Sequence, residues 1–355
     1  MTYKVIQWAT GNVGRAAVEG VRNHPDLELV GAYVYSDEKT GRDVGEICGL
    51  GHLGVTATND ADEILGIDAD CVVYSPMLAN PPDVVRLLAS GKNVVTPVGW
   101  VYPFRSHDLT AIEAACHEGK TSLHGTGINP GGITEQLPLV LSAFCTDIRH
   151  VRAEEFSDIR TYDTEFVVRD VMLFGRTPED GAASPMISIL GDGFCQSIDM
   201  VAEALGVELD TEKRTTHEMA ITTKPLDTPV GVIEPGTVAA QRFTWEGMVA
   251  GEPFITVRVN WLMGEDDLDP PWTFGPGGER FEIEFDADPP LRASFHGMHP
   301  PSVETADLDR NEGILATAMH CVNAVPYVVE ADPGIRTFLD LPLMPGRAAG
   351  RLAPT

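Results

Sequence analysis

The sequence predicts an α/β fold: a doubly wound parallel sheet at the N-terminus, followed by an α+β domain with an open, mainly antiparallel sheet. Two observations predict this class. In the first 130 residues, continuous apolar runs of strand length alternate with helical patterns, as in parallel sheets covered by helices on both faces. After residue 130, longer segments alternate between apolar and polar residues, which is typical of strands with one exposed face.

The elements of the first part follow from apolar runs and helix-stop signals. The expected strands are Val5–Ala9, Leu29–Tyr35, Val55–Thr58, Cys71–Ser75, Val94–Val98 and Ser122–Gly125. Asp60 suits a helix N-cap, and Gly91 and Gly119 stand where helices end. The expected helices run from the Gly11–Gly14 turn to about Asn23, from Asp60 onward, and over Pro82–Ser90 and Asp108–Glu118.

The second part begins after the turn-forming segment Asn129-Pro130-Gly131-Gly132. Alternation predicts the strands Val151–Ile159, Glu218–Thr223, Val238–Glu246, Phe254–Asn260, Arg280–Phe285 and Leu291–Phe295. Helices are expected at Ile133–Phe144, Phe166–Leu173, Ile187–Leu205 and Asp307–Val325. We expect one domain over residues 1–130 and a second over 131–304, with the last helix and the Pro-rich tail, about 305–355, packed back on the first.

The charge balance excludes two classes of partner. Asp and Glu number 53 and Lys and Arg 25, so the formal net charge is -28. Such a surface repels phosphate backbones and anionic lipid, and we therefore expect no nucleic-acid partner and no membrane partner. Any bound anion therefore has to be held by nearby groups whose attraction outweighs the repulsion by the net negative charge.

The cysteine spacing and the N-terminus predict a soluble cytoplasmic protein. The six cysteines lie far apart, without the spacing of a disulfide framework or a zinc site, so reduced thiols and no metal are expected. The opening MTYKVIQWATG runs directly into a strand pattern and lacks the character of a signal peptide. No apolar stretch reaches the length of a transmembrane helix.

A turn after the first strand can hold an anion. Ala9-Thr10-Gly11-Asn12-Val13-Gly14 ends the strand and opens the helix, which is the setting of the dinucleotide fingerprint of Rossmann domains, with Ala9 in place of the first glycine. Glycine lets the backbone approach a pyrophosphate, and the N–H groups of the helix N-terminus face it. The expected contacts are Thr10, Gly11, Asn12, Val13 and Gly14. A purely structural turn is the alternative.

The end of the second strand favours NADP over NAD. An NAD site usually has Asp or Glu there, which binds the ribose 2′-hydroxyl. This strand ends Val34-Tyr35-Ser36, with Lys39 and Arg42 close behind. Ser36, Lys39 and Arg42 can hold a 2′-phosphate, whereas a solvated loop is the alternative and use of NAD stays open.

Short motifs from end to end of the chain resemble a known family. They are Thr10–Gly14, Gly41–Glu46, Asn93–Thr96 leading to Tyr102-Pro103, Gly125–Gly131, Thr177–Glu179, Val322–Pro326, Pro333–Ile335 and Asp340–Pro342. In this order they resemble the dihydrodipicolinate-reductase-like oxidoreductases, in the branch of 2,4-diaminopentanoate dehydrogenase and the native amine dehydrogenases. The resemblance covers nearly the whole chain.

The resemblance implies an NAD(P)-dependent enzyme with a small-molecule substrate. It implies hydride transfer between the nicotinamide and a C=N or C=O carbon in a cleft between the domains, with the second domain binding substrate and forming a homodimer. The family's amine dehydrogenases have a catalytic Glu after the strand equivalent to Val94–Thr96, where this chain has Pro97-Val98-Gly99-Trp100-Val101. That departure argues against ammonia activation at this position. The His-His…Lys and Ser-Gly-Thr segments of the lysine-pathway reductases are also missing, which argues against the dihydrodipicolinate substrate.

Ligands of doubly wound sheets bind at the carboxyl ends of the strands, and this rule selects further candidates. The additional cofactor residues are Ser75, Pro76, Val98, Gly99 and Asn129. Asn129 would touch the nicotinamide or its ribose, although a pure turn role fits it too. Tyr102 at the same edge is a candidate catalytic residue through its hydroxyl, and packing beside Pro103 is the alternative.

Two carboxylates and four apolar residues complete the candidate site. Glu155 and Asp158 lie on the strand that would enter the cleft, where burial would raise a carboxyl pKa and permit acid–base catalysis. In so acidic a chain, a solvated surface position is the alternative. The expected substrate pocket contains Trp100, Phe166, Met172 and Phe174, for which core packing is the alternative. Without the loop carboxylate, we expect a bulky, uncharged or apolar substrate.

Three functions fit these residues. The first is an amine dehydrogenase or an imine or ketone reductase. The second is a carbonyl reductase that never uses ammonia. The third is a non-catalytic NADP(H)-binding regulatory protein, which the missing carboxylate would also allow. The histidines His124, His296 and His299 suit satisfied core or surface positions and do not separate the three.

Overall fold

The computed structural model describes residues 2–298, 311–349 and 352. The chain divides into two compact units: unit 1 is Met1–Gly132 with Ile314–Thr355, and unit 2 is Ile133–Gly313. The boundary expected at residue 304, the expected start of the last helix at Asp307, and His299 lie outside the described residues. The roles expected for the two parts of the chain stay predictions.

The elements are numbered in chain order. The strands are β1 (Tyr3–Trp8), β2 (Leu27–Tyr33), β3 (Ala57–Thr58), β4 (Cys71–Tyr74), β5 (Asn93–Thr96), β6 (Ser122–Gly125), β7 (Thr146–Asp158), β8 (Arg214–Thr222), β9 (Val238–Val249), β10 (Glu252–Leu262), β11 (Leu268–Asp269), β12 (Arg280–Asp288), β13 (Leu291–Phe295) and β14 (Gly334–Ile335). The helices are α1 (Asn12–Asn23), α2 (Val44–Ile47), α3 (Ala61–Gly66), α4 (Pro81–Ala89), α5 (Thr110–Gly119), α6 (Leu137–Ser142), α7 (Pro178–Ala182), α8 (Met186–Ala204) and α9 (Glu312–Val329).

Unit 1 contains a parallel sheet with the strand order β14-β6-β5-β4-β1-β2-β3. Its central strands β4, β5 and β6 are buried along their whole length. Val72 and Val94 belong to the core cluster formed with α4 and α5, whereas Val73 and Val95 belong to the cluster formed with α1 and α9. The strands are therefore covered on both faces, which confirms the predicted doubly wound sheet.

The C-terminal segment completes unit 1. Helix α9 packs against the sheet through a buried stripe that contains Ala318, Cys321, Val322 and Val325. Beyond it, β14 pairs in parallel with β6 and adds an edge strand. Residues near the C-terminus therefore complete the sheet beside β6, and the candidate cofactor residue Asn129 lies on the turn after β6.

Unit 2 contains a mixed sheet with the order β11-β8-β9-β10-β7-β12-β13. The β10–β7 pair is parallel and the other pairs are antiparallel, which confirms the mainly antiparallel prediction. Helix α8 covers one face, where Phe194 and Ile198 pack with Phe243 and Trp245. The other face presents charged side chains, and in it Glu282 binds the guanidinium groups of Arg280 and Arg292 at 2.6 and 2.7 Å.

Two of the predicted helices contain π turns. The segment predicted as the helix Phe166–Leu173 is helical over residues 165–171, and its last five residues, Val167–Val171, form a π turn. The predicted helix Ile133–Phe144 is helical without a break over residues 132–142, and its π turn at Gly132–Gln136 continues directly into helix α6. Proline in the first turn of α6 has no N–H to donate to the turn before it.

The short helices α2 and α7 were not predicted, because their sequence signal is an N-cap residue and not a periodic apolar pattern. Asp43 caps α2 and Thr177 caps α7, and both helices are shorter than two turns. Asp60 caps α3 as predicted. Within the part of the chain that the structure describes, none of the helices has the length and hydropathy that spanning a bilayer requires.

Candidate functional site

The turn between β1 and α1 is built on a close contact between Ala9 and Gly14. Ala9 has a φ of 73°, the left-handed region that costs an ordinary L-residue about 1–2 kcal/mol. A Cβ built on Gly14 would overlap the Ala9 carbonyl group. Only glycine therefore allows α1 to approach β1 so closely, which is the role of the last glycine in the dinucleotide fingerprint.

The start of α1 is open to an approaching anion. Gly11 is the N-cap residue, is exposed, and would meet nothing within 4 Å if it carried a Cβ. The free approach, the N–H groups of the first turn and the positive end of the helix dipole together suit a pyrophosphate. This turn fits the cofactor that the sequence predicts.

The loop after β2 brings a cation to this turn. The Lys39 ammonium lies 3.2 Å from the Thr10 hydroxyl oxygen. The hydroxyl oxygen of Ser36, three residues before Lys39, accepts a hydrogen bond from the backbone N–H of Glu38 at 3.2 Å. Arg42 is exposed and follows on the same loop, with its backbone N–H donating to the Lys39 carbonyl at 3.3 Å. Lys39 therefore contacts Thr10, and Ser36 and Arg42 lie on either side of Lys39 along the chain.

Asp43 organises the segment that follows this loop. Its carboxylate accepts hydrogen bonds from the backbone N–H groups of Gly45, Glu46, Leu53, Gly54 and Val55. Burial favours the neutral acid, but these donors outweigh burial and lower the pKa of Asp43 below its ordinary value. The Gly41–Glu46 motif therefore has a structural role, since it folds the chain next to the Lys39 loop.

The turn after β5 has no acidic side chain and points its tryptophan inward. The backbone N–H of Val98 donates to the Thr96 hydroxyl at 3.0 Å, and Gly99 and Trp100 have φ values of 91° and 54°. A Cβ on Gly125 would overlap the backbone of Gly99 and Trp100, so the turn lies tightly on β6. Trp100 is only 7% exposed and belongs to the core of unit 1.

The turn after β6 is tied to α9 through a histidine that the sequence analysis did not select. The Thr126 hydroxyl and the His320 Nδ1 are 2.7 Å apart. Burial lowers the pKa of His320 to about 4, so the imidazole is neutral near pH 7. Asn129 lies on this turn, which closes with a hydrogen bond from Gly132 N–H to the Gly127 carbonyl at 2.8 Å. Only contact between distant segments reveals this use of His320.

Three carboxylates meet at the end of β7 in unit 2. Glu155 accepts from the Ser157 hydroxyl at 2.7 Å and the Trp261 indole at 2.9 Å. Asp158 forms an ion pair with Arg160 through both carboxylate oxygens. Glu279 accepts from the backbone N–H of Asp158 at 2.7 Å.

Glu279 has a raised pKa. Burial above all, and then the charges of Asp158 and Glu155, raise the pKa of Glu279 to about 7, although the Asp158 N–H and Arg160 oppose the change. A carboxyl with such a pKa exchanges protons near neutral pH. Glu279 does not stand out in the sequence, because it follows a Gly- and Pro-rich segment that is typical of a solvated loop.

The remaining candidate residues lie in different environments. Met172 and Phe174 are buried in a core cluster of unit 2, whereas Phe166 is 50% exposed. The Tyr102 ring is buried and contacts the edge of Phe104, with 5.1 Å between ring centroids. The described contacts bring Met172 and Phe174 into one cluster and do not include Phe166 in it. Their shared role with Trp100 in a substrate pocket stays a prediction.

Comparison with known proteins identifies the family. Residues 5–95 match the dihydrodipicolinate reductase N-terminus, and residues 133–260 match the 2,4-diaminopentanoate dehydrogenase C-terminal domain. An amine dehydrogenase from Streptomyces virginiae is 35% identical over 364 residues, which cover 98% of each chain. The chain belongs to the dihydrodipicolinate-reductase-like oxidoreductases, in the amine dehydrogenase branch. It is an NAD(P)-dependent oxidoreductase.

Other members of this family match over similar lengths. The 2,4-diaminopentanoate dehydrogenase of Acetoanaerobium sticklandii is 22% identical over 358 residues, which cover 96% of this chain and 93% of that protein. The solved structure of an amine dehydrogenase from Mycobacterium smegmatis superposes with a TM-score of 0.78 at 21% identity and covers 98% of both chains. The oxidoreductase described here therefore shares the fold of that protein along its whole length.

Proposed function

We propose that this oxidoreductase transfers hydride between NADP(H) and a C=N or C=O carbon of a small, uncharged or apolar substrate. The reaction is that of an amine dehydrogenase or of an imine or ketone reductase. The observation that carries the proposal is the Ala9–Gly14 turn, with its glycine contact and its open helix N-terminus, in a chain that is 35% identical to an amine dehydrogenase over 98% of its length.

The residues at one edge of the unit 1 sheet would hold the cofactor. Those that we assign are Thr10, Gly11, Asn12, Val13, Gly14, Ser36, Lys39, Arg42, Ser75, Pro76, Val98, Gly99 and Asn129. The N–H groups of the first α1 turn bind the pyrophosphate, and the residues after β4, β5 and β6 orient the rest of the molecule. When bound, the nicotinamide ring supplies or accepts the hydride.

Lys39 selects NADP over NAD in this proposal, because an ammonium group next to the phosphate turn favours the additional 2′-phosphate. Replacing Lys39 with Ala is expected to raise the Kd of NADPH about tenfold, which corresponds to about 1.4 kcal/mol, and to change the Kd of NADH less than about twofold. Fluorescence titration of both cofactors measures the two changes. Lys120→Ala is the matched control, since this exposed lysine precedes β6 at the opposite edge of the sheet. Equal losses for NADPH and NADH would refute the assignment.

Proton exchange with the substrate is assigned to the carboxylates Glu155, Asp158 and Glu279, with the Tyr102 hydroxyl as a further candidate. Asp158 is paired with Arg160, and Glu155 accepts two side-chain hydrogen bonds. Glu279 is the member whose pKa is raised to about 7. We therefore assign the mobile proton to Glu279 and the raising of its pKa partly to its two neighbours.

Glu279→Gln is expected to lower kcat by about a hundredfold, because the amide keeps the hydrogen bond from Asp158 but cannot exchange a proton. In the reductive direction the wild-type rate should fall as the pH rises through about 7, since Glu279 then loses the proton that it donates. The variant should lack this pH limb. Glu234→Gln, an exposed carboxylate in the same unit, is the control for kcat. A variant with the wild-type pH profile would exclude Glu279.

A carbonyl reductase that does not use ammonia is the second candidate. It is favoured by the turn Pro97–Val101, which contains no carboxylate and directs Trp100 into the core. Oxidation of NADPH is followed at its absorbance maximum with a panel of ketones, with and without ammonium. Ammonium-dependent oxidation supports amine dehydrogenation, and ammonium-independent oxidation supports carbonyl reduction. Absence of turnover with every apolar ketone, cyclic imine and amine tested would contradict both.

We further infer a homodimer that forms through the face of the unit 2 sheet opposite α8. Within a single chain, Glu154 and Glu282 on that face are only 4% and 3% exposed, and both are paired with arginine. Sedimentation equilibrium should give twice the chain mass of 38.3 kDa. A single-chain mass at micromolar concentration would contradict the dimer.

A further inference from the structure

Gln7 is a buried amide directly before the phosphate turn. It lies on β1, its side chain has no solvent exposure, and only its Nε2 has hydrogen-bond partners among the described residues. Its Nε2 lies 2.9 Å from the Ala9 carbonyl oxygen, 3.1 Å from the Trp8 carbonyl oxygen and 2.8 Å from the Ser75 hydroxyl. The amide therefore faces the end of β1, at which the chain turns into α1.

The Ala9 carbonyl is held between two groups. The Gln7 amide donates to its oxygen, and Gly14 packs against the same carbonyl group from α1. Ala9 adopts its positive φ without the freedom of a glycine, so a fixed donor at this carbonyl stabilises the conformation that the turn requires. In other words, Gln7 compensates for the missing first glycine of the fingerprint.

Gln7 also links the ends of two neighbouring strands. The Ser75 hydroxyl, which accepts from Gln7, lies 3.3 Å from the Trp8 carbonyl oxygen and donates to it. The Ser75 backbone N–H donates to the same carbonyl at 3.1 Å. The turn after β1 and the turn after β4 are thus held in one hydrogen-bond network, and both contribute residues that we assign to the cofactor.

We propose that Gln7 is a positioning residue for the dinucleotide: its amide fixes the Ala9 carbonyl and thereby the direction of the N–H groups at the start of α1. The inference rests on the proposed function only for the binding of a nicotinamide dinucleotide. It adds a side chain that acts through Ala9 and Ser75, and it explains why alanine is accepted at the first position of the fingerprint.

The test compares two substitutions of Gln7 by NADPH titration of the full-length protein. Gln7→Met removes the donor and should raise the Kd about tenfold relative to the wild type at every pH. Gln7→Glu has nearly the same shape, but it donates only when protonated and repels the two carbonyl oxygens when ionised. The ratio of its Kd to the wild-type Kd at the same pH should be near one at pH 6 and about ten or more at pH 8.5.

A buried glutamine elsewhere provides the matched control. Gln241 in unit 2 is also fully buried, and its amide donates to the Met172 carbonyl. Gln241→Met should lower the melting temperature and leave the Kd of NADPH within about twofold of the wild type, because it does not touch the phosphate turn. General destabilisation is thereby separated from positioning.

The coupling to Ala9 is tested in a double-mutant cycle. Glycine bears a positive φ without strain, so in the Ala9→Gly background the effect of Gln7→Met on the Kd should shrink. If Gln7→Met alone does not fold, its effect on the Kd is measured in the Ala9→Gly background instead. The inference is overturned if folded Gln7→Met and Gln7→Glu bind NADPH as the wild type does at both pH values. If instead the wild-type protein binds neither NADPH nor NADH, the proposed function itself fails.

Discussion

The contact between the Ala9 carbonyl and Gly14 determines how α1 meets β1, and the candidate site depends on it. Because no side chain separates the helix from the strand, the first turn of α1 reaches the edge of the sheet where β4, β5 and β6 also end. A larger residue at position 14 would move the helix away from the strand. The N–H groups of that turn and the Lys39 ammonium would then no longer lie at one place.

This local geometry matters more here than in a neutral protein. With a net charge of -28, the chain as a whole repels a dinucleotide phosphate. Attraction has to come from groups within a few ångströms, since salt screens the interaction with more distant exposed charges. The helix N-terminus, the adjacent lysine and the buried Gln7 amide are of this kind.

In unit 2 the abundant carboxylates are distinguished by their partners. Most exposed ones need no explanation in so acidic a chain, and several buried ones, such as Glu282, are neutralised by arginine. Glu279 instead faces two other carboxylates, and burial raises its pKa to about 7. Acid–base function is therefore assigned from the environment of the group and not from its residue type.

The sequence was sufficient where the signal is local. The glycine turn, the Asp60 cap and the alternation of strands and helices all follow from neighbouring residues. It was insufficient where distant segments meet. His320 binds Thr126 from a helix near the C-terminus, and Glu279 meets Asp158 across 121 positions of the chain. The helix predicted at Phe166–Leu173 is present over residues 165–171, but apolar spacing did not show that most of it is a π turn.

The most direct measurement is NADPH titration of the wild-type protein beside Gly14→Ala and Gly66→Ala. Both substitutions add one methyl group to a helix of unit 1, but at Gly66 the Cβ meets nothing within 4 Å, whereas at Gly14 it overlaps the Ala9 carbonyl. The account predicts tight binding by the wild type and Gly66→Ala, and a loss of about a hundredfold or more for folded Gly14→Ala. It is contradicted if folded Gly14→Ala binds NADPH as tightly as the wild type, or if the wild type binds neither NADPH nor NADH.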